Sequence, residues 1–190
     1  MPKKHQPFKF ETRALQSTKN IINKVHAISP PIYLSSTFER NQEGKYQDRY
    51  KYSRNDNPNR RTLEKSISTL EYGTTGFAFG SGMAAISAVF QSLKTGDHVI
   101  LPDDVYFNLK LLIKDVFNRW GLSFSFVNMS DIEAVSHALT RHTRLIWIET
   151  PSNPQLKISN IPGICELAHA HQILTAVDNT WPTPVLQNPL

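Results

Sequence analysis

Five short clusters in this 190-residue sequence combine residue types that can bind ligands or do chemistry. Gly80-Ser81-Gly82-Met83-Ala84-Ala85 stands between a β-type run and a helical pattern, so free backbone N–H groups and the positive end of a helix would converge on one point. That is an anion site, although a glycine pair at such a turn can equally be a tight connection. Glu149-Thr150-Pro151-Ser152-Asn153-Pro154 follows an apolar run, and its two prolines keep their neighbours out of helix and fix Asn153 in an extended loop. A carboxamide held this way can donate to a phenolate-type oxygen; the alternative is a plain Asn-Pro turn. Asp178, in Ala176-Val177-Asp178-Asn179-Thr180, is a carboxylate placed directly after an apolar strand. It should be partly buried and in need of a cation, unless it serves as a cap or a loop hydrogen bond.

Tyr106, in Asp103-Asp104-Val105-Tyr106, can stack on a planar ligand or be a core tyrosine. Tyr52-Ser53-Arg54 offers a hydroxyl and a guanidinium two residues apart, which on an extended segment share one side and can grip a phosphate together; a solvated surface arginine is the alternative. Taken together, the clusters supply a phosphate cradle, an aromatic lid, a donor for a ring oxygen and a carboxylate for a ring nitrogen.

The elements that must position them divide the chain near residue 60. Residues 1–60 show little helical period, are punctuated by Pro30, Pro31 and Pro58, and carry Tyr33, Phe38, Tyr46, Tyr50 and Tyr52, so they read as an extended arm that must lie on another surface, expected to be a second subunit. Residues 61–190 read as an α/β domain. Leu63, Ile67 and Leu70 mark a helix stopped by Gly73; helices follow at Met83–Leu93, Leu109–Trp120, from Ser130 or Asp131 to Leu139, and at Ile161–His171. Five strands are expected between them, at Phe77–Phe79, Val99–Leu101, Ser123–Val127, Leu145–Glu149 and Leu174–Asp178. Alternation of strands and helices, with near-continuously apolar strands, predicts a mainly parallel sheet sandwiched by helices, and ligands of such sheets gather at the carboxyl ends of the strands. The stretch Trp181–Leu190, with its prolines, suggests no element.

The order and surroundings of the clusters closely resemble the Cys/Met metabolism (trans-sulfuration) family of pyridoxal-phosphate (PLP) enzymes. The residues that carry the likeness are Pro30-Pro31-Ile32-Tyr33-Leu34-Ser35-Ser36-Thr37-Phe38, Tyr52-Ser53-Arg54 leading to Asn57-Pro58, Ser81-Gly82-Met83, Glu149 to Pro154, and Val177-Asp178-Asn179-Thr180, with Leu186-Gln187-Asn188-Pro189-Leu190 closest to the cystathionine γ-synthase branch. The resemblance implies the large domain of a fold type I PLP-dependent transferase, here truncated, with PLP as cofactor. By the same likeness Gly82 and Met83 give backbone N–H groups to the phosphate, Tyr52 and Arg54 reach the phosphate of a neighbouring subunit's cofactor, Tyr106 stacks on the pyridine ring, Asn153 bonds the ring hydroxyl and Asp178 keeps the ring nitrogen protonated. The implied activity is C–S bond formation on an activated homoserine, or cleavage as in cystathionine β- and γ-lyases, with an amino-acid substrate and a homo-oligomer, dimer or tetramer.

Relatives place the Schiff-base lysine in a Ser-x-Thr-Lys segment beyond the Asp-Asn-Thr motif, and no lysine follows Lys157 here, so no catalytic residue is assigned and the 190 residues by themselves are expected to be inactive. Phe107 and Asn108 replace the glycines usual after the stacking tyrosine, and Lys51 and Leu111 fill places where γ-synthase relatives often carry an acid and an arginine. These departures leave γ-replacement, γ-elimination and β-elimination open. The formal charge of +5 comes from scattered residues with no run longer than a pair, which argues against nucleic acid. No ribose-binding acid follows the second strand, which counts against a dinucleotide. Met1 to Phe10 lacks the apolar region of a secretory leader and no stretch has the length of a membrane span, so the expected location is the cytoplasm. Cys165, on the apolar side of a helical pattern, reads as a small buried hydrophobe.

Overall fold

Strands covered on both faces need apolar side chains at every position, and that requirement explains Val99-Ile100-Leu101 and Leu145-Ile146-Trp147-Ile148. In the computed structural model, which describes residues 8–17, 29–46 and 49–190, these residues form the centre of a four-stranded parallel sheet. Its strands are β1 (His98–Pro102), β2 (Ser123–Val127), β3 (Thr143–Glu149) and β4 (Leu174–Asp178), in the order β2-β1-β3-β4. Val99, Leu101, Leu145 and Trp147 pack on one face with Phe90, Leu109 and Phe117; Ile100, Ile146 and Ile148 pack on the other with Val135, Ile164 and Ala168. Phe90 has no exposed surface, and its ring lies 5.2 Å from Phe117 and 5.7 Å from Trp147. Truncating it to alanine would cost about 3–5 kcal/mol.

Three helices of this unit, Phe79–Pro189, begin where the sequence gives a cap. Ser81 caps α3 (Gly82–Gln91), Asp131 caps α5 (Ile132–His137), and Asn160 caps α6 (Ile161–Ala170), each by accepting a backbone N–H in the first turn. Of the two starts considered for the fifth helix, Asp131 is the one used. The expected helix Leu109–Trp120 is instead a short α4 (Phe107–Leu112) followed by a π-helical turn, Ile113–Phe117. Ile113 and Phe117, at the two ends of that turn, are buried in the same core as Leu109.

Three further expectations need correction. Phe77–Phe79 is not a strand: no described residue pairs with it, and the Ala78 N–H donates to the Glu64 carboxylate at 3.1 Å. The tail is not without structure, because it forms α7 (Thr183–Leu186), and the Gln187 side chain donates to the Thr150 carbonyl at 3.1 Å and to Asn179 at 2.9 Å. Cys165 is only half-buried, with its thiol 3.7 Å from the Thr175 hydroxyl.

The other unit, Met1–Ala78 with Leu190, holds α1 (Phe10–Gln16) and α2 (Pro58–Leu70). The compositional boundary near residue 60 falls at the start of α2, whereas the unit runs on to Ala78. Between the helices the chain is irregular, with isolated antiparallel bridges Thr37 to Tyr52 and Arg40 to Tyr46. Asn57 caps α2 and Pro58 starts it. Just before it, buried Asp56 accepts ion pairs from Arg49, Arg60 and Arg61 at 2.8, 3.5 and 2.9 Å. Most of Met1 to Phe10, on which the reading about a leader rests, lies outside the described residues. Among the described residues no helix is long and apolar enough to cross a membrane.

Candidate functional site

Strand ends create the site. Parallel strands deliver their carboxyl termini to one edge, and Glu149 and Asp178 are register partners at the ends of β3 and β4. A cavity of about 360 Å³ opens there, within the usual range for small-ligand sites. Gly82, Met83, Tyr106, Asn153 and Asp178 all line it, together with Glu149. Five of the seven residues singled out from the sequence therefore meet in one place.

At the start of α3 the Ser81 hydroxyl and carbonyl take the Ala84 and Ala85 amides, each at 3.1 Å. The Gly82 and Met83 amides, just before them in the same first turn, have no acceptor among the described residues, and a Cβ on Gly82 would meet nothing within 4 Å. Met83 meanwhile packs its side chain against the core, which anchors the turn. Two free, convergent N–H groups beside open space are suited to an anionic oxygen.

Asp178 Oδ1 accepts from the Thr180 amide at 3.1 Å and the Thr180 hydroxyl at 2.5 Å, so the loop hydrogen bond considered for this residue exists. Its Oδ2 has no hydrogen-bond partner among the described residues and the side chain is half-buried, which suits a cationic N–H. The Asn153 carboxamide, on the cavity wall between Pro151 and Pro154, likewise has no hydrogen-bond partner among the described residues; both prolines follow cis peptide bonds. Tyr106 is half-buried and its hydroxyl accepts from the Asn108 side chain at 2.7 Å.

Sequence reasoning missed Glu149 as a site residue. It is 4 % exposed, and its two oxygens accept the Tyr106 amide at 3.0 Å and the Asn153 amide at 2.9 Å. Burial pushes its carboxyl pKa up; the two amide bonds oppose that rise, and the charges of Asp178 and Asp104 add to it. A carboxylate ending an apolar strand was the available signal, the same one that drew attention to Asp178. A second link joins the same loops, because the Ser152 hydroxyl bonds the Asp104 carboxylate and Lys157 pairs with Asp103 at 2.9 Å.

Tyr52 and Arg54 belong to the other unit, where the Arg54 guanidinium lies 5.1 Å from the centre of the Tyr52 ring. The two side chains are neighbours, but across a turn at 53–55 rather than along the extended segment expected from the sequence. No metal-binding cluster of His, Cys, Asp or Glu occurs among the described residues.

The donor set fits PLP on this geometry: free amides for a phosphate, a planar ring for stacking, an unengaged carboxamide for a ring hydroxyl and an unpaired carboxylate oxygen for a ring N–H. Similarity to known proteins points to the same cofactor. The family described as Cys/Met metabolism PLP-dependent enzyme matches residues 11–190. The chain is similar to a cystathionine gamma-synthase of Mycobacterium leprae (strain TN), 46% identical over 165 residues that cover 86% of this chain and 42% of that protein. It is similar to a cystathionine beta-lyase of Coxiella burnetii, 41% identical over 181 residues, 95% of this chain and 46% of that protein. Among solved structures it is similar to cystathionine gamma-lyase from Lactobacillus plantarum complexed with L-serine, with a TM-score of 0.90 and 43% identity over 96% of this chain and 47% of that one. The chain spans about half the length of the relatives it matches.

Proposed function

The chain belongs to the Cys/Met metabolism PLP-dependent enzyme family, whose cofactor is pyridoxal 5'-phosphate, and from that membership we propose that the whole protein makes or breaks C–S bonds in an amino-acid substrate, most like a cystathionine γ-synthase acting on an activated homoserine. One observation carries the reading: Gly82, Met83, Tyr106, Asn153 and Asp178 share a single cavity at the carboxyl edge of the sheet. When bound, PLP supplies an electron sink for the carbanion left at the substrate Cα.

The chain's own residues hold and tune that sink. The Gly82 and Met83 amides bind the phosphate, and the Tyr106 ring covers one face of the pyridine. Asn153 donates from its carboxamide to the ring oxygen, and the free Asp178 oxygen keeps a proton on the ring nitrogen. Tyr52 and Arg54, on the aromatic-rich arm of residues 1–60, reach the phosphate of a neighbouring subunit's cofactor, which makes the working protein a homo-oligomer. A lyase is the second reading, favoured by the mixture of synthase and lyase names among relatives of similar identity. The 190 residues alone, without a Ser-x-Thr-Lys segment, do not turn over substrate. Assay of the whole protein with PLP, for cystathionine synthesis from an activated homoserine and cysteine against cystathionine breakdown, tests the reading. Synthesis supports the first activity, breakdown without synthesis supports the second, and neither with bound cofactor contradicts both.

A further inference from the structure

We propose that Glu149 is the positioning residue of this cavity, its two carboxylate oxygens setting the separation between the Tyr106 ring and the Asn153 carboxamide by accepting both backbone amides at once. The inference rests on the reading that the cavity takes PLP, for then these two groups flank the ring and its hydroxyl.

The geometry requires little else. Tyr106 lies between β1 and α4, and Asn153 lies in the loop after β3, so nothing in the chain sequence links the two. Neither amide finds a backbone acceptor; one buried side chain satisfies both, at 3.0 and 2.9 Å. Both oxygens accept, so the carboxyl must be ionised for the two bonds to hold at full strength. A buried carboxylate beside Asp178 and Asp104 is costly, and the amides offset that cost. The loops are also joined through Ser152 to Asp104 and Lys157 to Asp103. Loss of the Glu149 bonds therefore leaves the loops attached while the fine placement of Tyr106 against Asn153 is released.

Amide hydrogen exchange in the whole protein, without cofactor, tests the link itself. In the unaltered protein Tyr106 and Asn153 should exchange slowly beside Phe107 and Gln155. In Glu149→Gln one or both should exchange about tenfold faster, because the carboxamide accepts at its oxygen but turns N–H groups toward the second donor. Ile100 and Ile146, in the core of the sheet, should not change. The same variant should bind PLP about tenfold more weakly and shift the absorbance of the bound cofactor. Unprotected Tyr106 and Asn153 amides in the unaltered protein overturn the link even if the variant does not fold. Faster exchange with unaltered cofactor affinity and absorbance overturns the positioning role. If Gly82→Ala and Asp178→Asn also left cofactor affinity unchanged, the PLP reading itself would fail, and this inference with it.

Discussion

Glu149 and Asp178 face each other in register across β3 and β4, and both line the same cavity. Two carboxylates on neighbouring strands, about 4.8 Å apart in backbone spacing, repel. Asp178 accordingly contributes to the raised pKa of Glu149. The arrangement costs folding free energy and suits a cationic ligand atom. Asp178→Asn should therefore leave the melting temperature unchanged or slightly higher, while PLP affinity falls tenfold to hundredfold, as expected for a lost charge-assisted bond of roughly 1.5–3 kcal/mol. Thermal unfolding and cofactor titration of the same preparation check it; a parallel loss of stability would mean that Asp178 is a structural residue.

Two glycines separate packing from binding. A Cβ on Gly76 would collide with the backbone carbonyl of Glu64 in α2, whereas one on Gly82 meets open space. Gly76→Ala should destabilise the protein by about 1–3 kcal/mol. Gly82→Ala should be nearly neutral for stability, since alanine suits a helix start better than glycine, yet should weaken phosphate binding by crowding the two free amides. Urea unfolding and inorganic phosphate competition measure the two effects independently.

His98 sets a pH dependence at the opposite end of the strands. The ring is 4 % exposed and bridges β1 to both neighbours, bonding the Thr143 hydroxyl at 2.8 Å and the Ser125 hydroxyl at 3.0 Å. Burial, helped by nearby His142, lowers its pKa below 6.5. The folded state thus binds fewer protons than the unfolded one in that window, and stability present above pH 6.5 is lost as pH falls through the folded pKa. Unfolding midpoints measured from pH 8 to pH 5 should fall, and His98→Gln should flatten the slope. An equal slope in the variant would assign the loss to other groups.

Much of this was legible from residue types. The all-apolar runs at 99–101 and 145–148, alternating with helical patterns, pointed to strands with both faces covered, and Ser130-Asp131 marked a helix start that Asp131 caps. Gly82, Asn153 and Asp178 were readable because strand ends and helix starts are where backbone amides and carboxylates meet ligands. Less local facts were hidden. Strand character at 77–79 depends on a pairing partner, and periodicity cannot supply one. The seven-residue α1, where Arg13 stacks at 4.6 Å on Tyr72, is too short for a period to show. The π-helical turn at Ile113–Phe117 had no signal either, because Leu109, Ile113 and Phe117 are spaced four apart and fit one face of an ordinary α-helix equally well. Glu149 was seen as part of a motif, but its two amide partners come from loops 43 and 4 residues away and are brought together only by the sheet.

Expressed alone, residues 1–190 should bind PLP weakly and reversibly, with no cystathionine formation or breakdown above that of free PLP. The several lysines, none in a Ser-x-Thr-Lys setting, offer no dedicated tether or base. Borohydride treatment followed by peptide mapping should label no single lysine. One stoichiometrically labelled lysine with accompanying turnover would contradict this.

The most direct measurement is a crystal structure of the whole protein grown with pyridoxal phosphate. The phosphate is expected at the Gly82 and Met83 amides, with the ring under Tyr106, its nitrogen at Asp178 and its hydroxyl at Asn153. Cofactor density elsewhere, or in this cavity with the phosphate at Asp178 and the ring nitrogen remote from any carboxylate, would contradict the assignment.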